Sequence, residues 1–202
     1  FYEMSNPLTT VRKQHFWEWF SGDTLNSRWT TTNIVGTNSY AMNDSTNGGF
    51  KITSGANNGD VGGINFNNKR QFAHDGSVHI STWKKVATSS RIMSGLKNSG
   101  TDQVQTEFAI CYDGENGTWK ILTTGDASSN SSTVSSVAED TSFHNYKIET
   151  SSSNIVLDID GVTEVTKTTN RPTVKLQPVF QTRTLTSATK EGLIRYCEAY
   201  NT

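Results

Sequence analysis

Short runs of alternating apolar and polar residues extend along most of this chain, which predicts β-strands with one buried face. In one run, Phe108, Ile110 and Tyr112 lie on one face and Ala109 and Cys111 on the other. Between such runs lie turn signals at Asn47-Gly48-Gly49, Asn57-Asn58-Gly59, Gly62-Gly63, Asp75-Gly76, Ser99-Gly100, Asp113-Gly114 and Asp160-Gly161. Many short strands separated by turns at this spacing indicate an all-β sandwich or barrel.

The same alternation leads to specific predictions for two later strands. The run from Val174 to Phe180 contains Pro178, which predicts an edge or bulged strand because proline lacks a backbone N–H. In the run from residue 193 to residue 200, regular alternation places Ile194 on one face with Tyr196, opposite Cys197.

Helical periodicity is almost absent, and residues 3–20 are the only segment that suits a helical turn or an extended arm. The length of 202 residues favours one domain over two small ones. We therefore predict an N-terminal arm over residues 1–19, followed by a sandwich domain over residues 20–202.

The charge balance narrows the class of partner. The net charge is −1 with a pI of about 6.5, so the chain lacks the basic excess that binding to nucleic acid or an anionic membrane would require. No apolar run approaches the length of a membrane-spanning helix. Cys111 and Cys197 lie within predicted strands, either as buried free thiols or, if their strands are neighbours, as a disulfide.

Four segments carry a resemblance to a known family: residues 20–29 (FSGDTLNSRW), 142–150 (SFHNYKIET), 154–162 (NIVLDIDGV) and 193–200 (LIRYCEAY). In this order they resemble the concanavalin A-like superfamily of lectins and glucanases, including its LamG-like members. The resemblance implies an antiparallel two-sheet jelly-roll sandwich. The stretch 73–76 and the ending 194–202 are also similar to lectin-like modules of marine bacteriophage structural proteins, which implies a virion-surface or extracellular location.

The glucanases of that superfamily carry their catalytic carboxylates on one strand, in a Glu-x-Asp-x-x-Glu arrangement. Glu107 has Ala109 and Tyr112 at the positions where the further carboxylates would stand. A polysaccharide lyase on this scaffold would need several polar side chains on one concave face. Alternation along their strands does not place the available set on one face: Arg91, Gln105, His79 and Tyr112. We therefore expect that the chain is not an enzyme, with a lyase or glycoside hydrolase as the remaining alternative.

Carbohydrate binding fits the pattern better. His79, Ser81 and Trp83 share the more polar face of one strand, where an indole would offer a stacking surface for a sugar ring. Gln105 and Glu107 would supply hydrogen bonds from a neighbouring strand, and Trp119 is a second aromatic candidate. The alternative is that a loop or another subunit covers these tryptophans.

Other tryptophans cluster near the start of the sandwich. Trp17, Trp19 and Trp29 are expected to close one end of the sandwich or to form an interface. No cofactor is expected, except that the family resemblance allows calcium at Asp23. Glu107 and Arg195 would form an ion pair if their strands were adjacent.

Three functions follow from these observations. The first is a non-catalytic module of a virion or extracellular assembly, which forms homo-oligomers through its aromatic N-terminal arm. The second is a free-standing carbohydrate-binding module for a polysaccharide. The third is a polysaccharide-active enzyme.

Overall fold

The structure is a computed structural model that describes residues 14–42, 48–86, 90–99, 107–113, 117–125 and 130–202. These residues form fifteen strands and no helix: β1 (His15–Glu18), β2 (Thr30–Val35), β3 (Ser39–Met42), β4 (Phe50–Thr53), β5 (Val61–Asn65), β6 (Gly76–Lys85), β7 (Ser90–Lys97), β8 (Phe108–Asp113), β9 (Thr118–Thr124), β10 (Ser131–Ala138), β11 (His144–Ser151), β12 (Ile155–Ile159), β13 (Val162–Lys167), β14 (Gln177–Thr184) and β15 (Glu191–Asn201). Among the described residues, no helix is long and apolar enough to cross a membrane.

The strands pair into two antiparallel sheets. The first has the order β13-β12-β11-β6-β15-β4-β3, with β1 paired to β15 beside this path. The second has the order β10-β9-β8-β7-β14-β5-β2. Side chains from both sheets form one main core between them, so the predicted all-β antiparallel sandwich is confirmed.

Local sequence explains several of these elements. Ile155, Leu157 and Ile159 alternate with half-buried residues along β12 and face the core. The following hairpin turns at Asp160 and Gly161, whose φ angles of 51° and 83° are both in the left-handed region. An Asp-Gly pair adopts that conformation at low cost, as the two-residue hairpin between β12 and β13 requires.

The second sheet has apolar residues on both faces. As the alternation predicts, Ala109 and Cys111 of β8 face the main core, whereas Phe108 and Ile110 point to the other side. There they form a smaller cluster with Met93, Tyr112 and Val179, and all five side chains are buried. This part of the outer face is therefore not an open surface.

Two strand predictions are wrong. β14 is an interior strand between β7 and β5, not an edge strand. Pro178 is tolerated because the β5 ladder begins only at Val179, one residue later. In β15 the pairing with β6 shifts between Ile194 and Tyr196, so that Ile194 faces the core together with Cys197.

The N-terminal arm also needs correction where the structure describes it. Residues 15–18 form β1, which pairs with β15 over its whole length, and Phe16 is buried in the main core. The sandwich therefore begins before residue 20. Residues 1–13 lie outside the described part of the chain.

Candidate functional site

The predicted sugar-binding strand β6 has the opposite orientation to the one expected. His79, Ser81 and Trp83 do share one face, but that face points into the sandwich, and all three side chains are 0% exposed. Trp83 stacks on Tyr146 with ring centroids 4.2 Å apart and meets Trp119 edge-on at 5.2 Å. Neither indole offers a free face to a sugar ring.

Two polar side chains of this strand, His79 and Ser81, have hydrogen-bond partners inside the core. His79 Nε2 and Ser81 Oγ lie 2.9 and 2.8 Å from the hydroxyl of Ser94 on the facing sheet. Burial lowers the pKa of His79 to about 3, so the imidazole is neutral. These contacts join the two sheets, and they give His79 and Ser81 a structural role.

The remaining predicted site residues do not assemble either. Glu107 accepts hydrogen bonds from the backbone N–H and the hydroxyl of Thr173. Its predicted partner Arg195 lies on the other sheet, where the guanidinium is 3.8 Å from the centre of the Phe143 ring, so the ion-pair hypothesis is wrong. Gln105 lies outside the described residues.

The structure answers the disulfide hypothesis but does not test the calcium hypothesis. Asp23 is exposed, and among the described residues no group of three or more His, Cys, Asp or Glu is arranged to hold a metal ion. Calcium at Asp23 therefore stays a prediction of the family resemblance. Cys111 and Cys197 are buried in different sheets and form no disulfide with each other, so the disulfide hypothesis is wrong.

Among the described residues, the most exposed aromatic surface lies on β1, at Trp19 directly after it and at the end of β15. Trp17 and Trp19 are 60% and 58% exposed, whereas Trp29 is 4% exposed and belongs to the core. The ring of Trp19 lies 4.4 Å from that of Tyr196, at an angle of 45°. We call this surface the aromatic face and define it by His15, Trp17, Trp19, Tyr196, Glu198 and Tyr200.

Strand pairing explains why these side chains come together. Trp17 is paired with Glu198 and His15 with Tyr200, so all four project from the same side of the first sheet. Phe16 and Ala199 point the other way and are buried. The Arg195 bulge contributes as well, because it allows Tyr196 to face outward although Ile194, two residues earlier, faces the core.

Polar groups hold this surface in place. Glu198 accepts hydrogen bonds from the hydroxyl of Tyr196 at 2.7 Å and from Nε2 of His15 at 2.9 Å. Burial and the neighbouring Glu198 carboxylate raise the pKa of Tyr196, which therefore stays protonated and donates. The face combines flat apolar rings with fixed acceptors and donors.

A hollow of about 230 Å³ adjoins the C-terminal end of β1. Glu18, Ser21, Thr24 and Asn26 contribute polar groups to its wall. Burial raises the pKa of Glu18 in spite of hydrogen bonds from Asn26 and the Trp19 backbone and the charge of Arg28, which lower it. We call this the Glu18 hollow.

Comparison with known proteins identifies the architecture. The structure aligns with the β-glucanase of Bacillus licheniformis with a TM-score of 0.68 and 12% identity, covering 93% of this chain and 98% of that one. The Crh5 transglycosylase aligns with a TM-score of 0.67 and 13% identity, over 93% of this chain and 84% of the other. The fold is that of the concanavalin A-like lectins and glucanases.

The concanavalin A-like fold also includes the carbohydrate recognition domain of Emp47p, which aligns with a TM-score of 0.66 and 11% identity over 95% of this chain and 98% of that one. No protein-family model matches the sequence. No curated protein matches it either.

One expectation about function is corrected by this comparison. The chain was expected not to be an enzyme, but most of the solved structures found to be similar to it are glycosidases and transglycosylases, so that expectation is corrected. The absence of one carboxylate spacing tests only one arrangement of acid and base. That absence does not exclude a catalytic acid and base placed on different strands.

The sequence interpretation did not single out the aromatic face as a candidate site. Trp17 and Trp19 were noticed but assigned to the closing of the sandwich or to an interface. Their i, i+2 spacing on either side of Glu18 was the available signal, because such spacing places both indoles on one side of an extended chain.

Proposed function

We propose that this protein recognises a carbohydrate through the aromatic face formed by β1 and β15. The observation that carries the proposal is the pair of indoles, Trp17 on β1 and Trp19 directly after it, that stay more than half exposed. Aromatic rings bind the C–H faces of sugar rings, and groups such as the Tyr196 hydroxyl and the Glu198 carboxylate can bind sugar hydroxyls. The lectin domain and the enzymes of this fold support a carbohydrate ligand.

The test is binding of the full chain to a panel of neutral and acidic polysaccharides, measured by affinity electrophoresis and titration calorimetry. We expect the Trp17→Ala, Trp19→Ala double variant to lose affinity by at least about tenfold, because it removes both stacking surfaces. Val162→Ala is the control, since Val162 is 59% exposed at the opposite edge of the same sheet. Unchanged binding by the double variant would overturn the proposal.

A second candidate function, cleavage or transfer of a glycan, is favoured by Glu18. A carboxyl group that stays protonated at higher pH than usual, in the wall of a hollow, suits a general acid that protonates the leaving oxygen of a glycosidic bond. The glycosidases and transglycosylases of this fold support the same reaction class.

This candidate is tested by incubating the protein with the polysaccharides that it binds and measuring new reducing ends and transfer products. We expect Glu18→Gln to lower the rate by roughly 100-fold or more, the usual contribution of a general acid. Glu191→Gln is the control, because Glu191 pairs with Lys51 on the surface. Full activity in Glu18→Gln would remove Glu18 from the reaction.

A further inference from the structure

A second hollow, of about 210 Å³, adjoins the N-terminal end of β1. Its floor consists of three buried aromatic rings, Phe16, Phe66 and Phe72. Phe66 packs against Phe16 and Phe72 with ring centroids 4.7 and 6.2 Å apart, so the floor is continuous. We call this the basic hollow because of the groups on its rim.

Three rim groups are cations or become cations on protonation: His15, Arg28 and Lys69. Among the residues that the structure describes, no acidic side chain lines the hollow. Lys69 forms no ion pair within the part of the chain that the structure describes. Two fixed positive charges therefore face one small hollow, in a chain whose net charge is −1.

The surroundings of these groups leave their charges available. The Arg28 guanidinium lies 5.4 Å from the centre of the Phe16 ring. Its charge lowers the pKa of Glu18 in the other hollow, but the two side chains form no ion pair in the described structure. His15 lies 2.9 Å from the carboxylate of Glu198, which is part of the aromatic face and does not line the hollow. The apolar floor beneath the two fixed cations keeps water from one side, which strengthens their attraction for an anion.

The basic hollow and the aromatic face are continuous through His15. His15 lines the hollow and also contacts Tyr200 of the aromatic face, with ring centroids 5.6 Å apart. Trp17 follows two residues later on the same side of β1, at a distance of about 7 Å along the strand. A glycan stacked on Trp17 can therefore place a neighbouring substituent over the hollow.

We propose that the basic hollow binds the anionic group of an acidic glycan, either the carboxylate of a uronic acid or a sulfate ester. Arg28 and Lys69 supply charge-assisted hydrogen bonds to that group, and the aromatic face holds the adjoining sugar ring. This inference rests on the proposed function and narrows its ligand from carbohydrates in general to acidic ones.

The test uses two matched pairs of polysaccharides with the full chain. Carrageenan and agarose compare a sulfated with a neutral galactan, and polygalacturonate and its methyl ester compare a uronate with its neutral form. We expect tighter binding to one or both acidic members, by about tenfold, with affinity falling as sodium chloride is raised. The pair that responds distinguishes sulfate from carboxylate.

The variant Arg28→Gln, Lys69→Gln is expected to lose this preference, while binding to the neutral member stays as in the wild type. Lys175→Gln is the control, because it removes an exposed lysine outside the hollow. Circular dichroism checks that each variant folds, which we expect because Arg28 and Lys69 are exposed.

Several outcomes would overturn the inference. Equal, Trp17-dependent binding to acidic and neutral members would reject the anionic ligand and leave carbohydrate recognition standing. Absence of binding to every polysaccharide would instead reject the proposed function itself. Binding of single-stranded DNA with the same dependence on Arg28 and Lys69 would show that the hollow serves a different class of polymer.

Discussion

At the scale of single residues, Trp83 is the centre of an aromatic group that crosses the sandwich. It stacks on Tyr146 of its own sheet and meets Trp119 of the facing sheet, and both indoles are 0% exposed. The indole Nε1 of Trp83 is buried and has no hydrogen-bond partner in the described structure. Its contribution to stability therefore comes from packing.

We expect Trp83→Ala to lower the free energy of unfolding by about 3–5 kcal/mol, because the cavity left behind cannot close around two fixed rings. Trp83→Phe is the control and should cost much less, since it keeps a ring and removes a buried donor that lacks a partner. Urea denaturation followed by circular dichroism measures both changes. A mild effect of Trp83→Ala would contradict the central role of this residue.

A second residue-scale feature is the clamp on His144. Its Nδ1 lies 2.6 Å from Asp160 and its Nε2 3.0 Å from Asp140. Burial favours the neutral ring, but the hydrogen bonds and charges of the two carboxylates outweigh it and raise the pKa of His144 above its ordinary value of 6.5. Protonated His144 thus joins the start of β11 to the β12–β13 turn.

Since the folded pKa of His144 is raised, its stabilisation is complete below pH 6.5 and is lost as the pH rises through the folded value. We expect His144→Gln to cost about 1 kcal/mol near pH 5.5 and less at about pH 8.5. Urea titrations of both proteins at several pH values measure the difference. A cost that does not change between these pH values would contradict the clamp.

At the scale of strands, the bulge in β15 determines which side chains reach the surface. Ile194 pairs with Trp83 and Tyr196 with Thr82, so Arg195 is an additional residue between two consecutive pairs. Regular alternation would place Ile194 and Cys197 on opposite faces of β15, but the bulge turns both side chains towards the core.

We expect the deletion of Arg195 to be tolerated, with a loss of about 1–2 kcal/mol, because it leaves both halves of β15 in their present pairing with β6. Deletion of Glu198 is the control and should prevent folding, since it would reverse the orientation of Ala199 and Tyr200. Soluble yield and thermal melting measure both. Equal damage from the two deletions would contradict this account of the bulge.

The orientation of a strand is a feature that the sequence alone did not predict correctly. Alternation correctly grouped His79, Ser81 and Trp83, but a two-residue period does not say which group faces inward. The polar character of His79 and Ser81 suggested the outside, whereas Ser94 on the facing sheet satisfies both in the interior. That partner is fifteen residues from His79 along the chain, and sequence alone does not show that the two meet.

The same limit applies to the candidate site. Motifs in order along the chain were sufficient for the fold, because each motif describes a local strand or turn. The aromatic face instead depends on β1 pairing with β15, which joins Trp17 to Glu198 across the whole length of the domain. Neither that pairing nor the Arg195 bulge has a local signature.

At the scale of the whole molecule, one core connects both ends of the described chain. Phe16 of β1 packs against Phe66 and Trp29, and β1 pairs with β15 near the C-terminus. The first strand is therefore part of the folding unit, and we expect a single cooperative unfolding transition.

We expect Phe16→Ala to lower the free energy of unfolding of the whole domain by about 3–5 kcal/mol. Its neighbour provides the control: Trp17→Ala should change stability by less than about 0.5 kcal/mol, because Trp17 is exposed. Calorimetry and circular dichroism should report the same transition. A small effect of Phe16→Ala would restore the separate N-terminal arm.

The division of the five tryptophans between surface and core also provides two optical signals within one molecule. Trp17 and Trp19 are accessible to a soluble quencher such as acrylamide, whereas Trp29, Trp83 and Trp119 are at most 4% exposed. A ligand on the aromatic face would shield the first pair and leave the emission of the other three unchanged. Occupancy and unfolding can therefore be followed separately in the unlabelled protein.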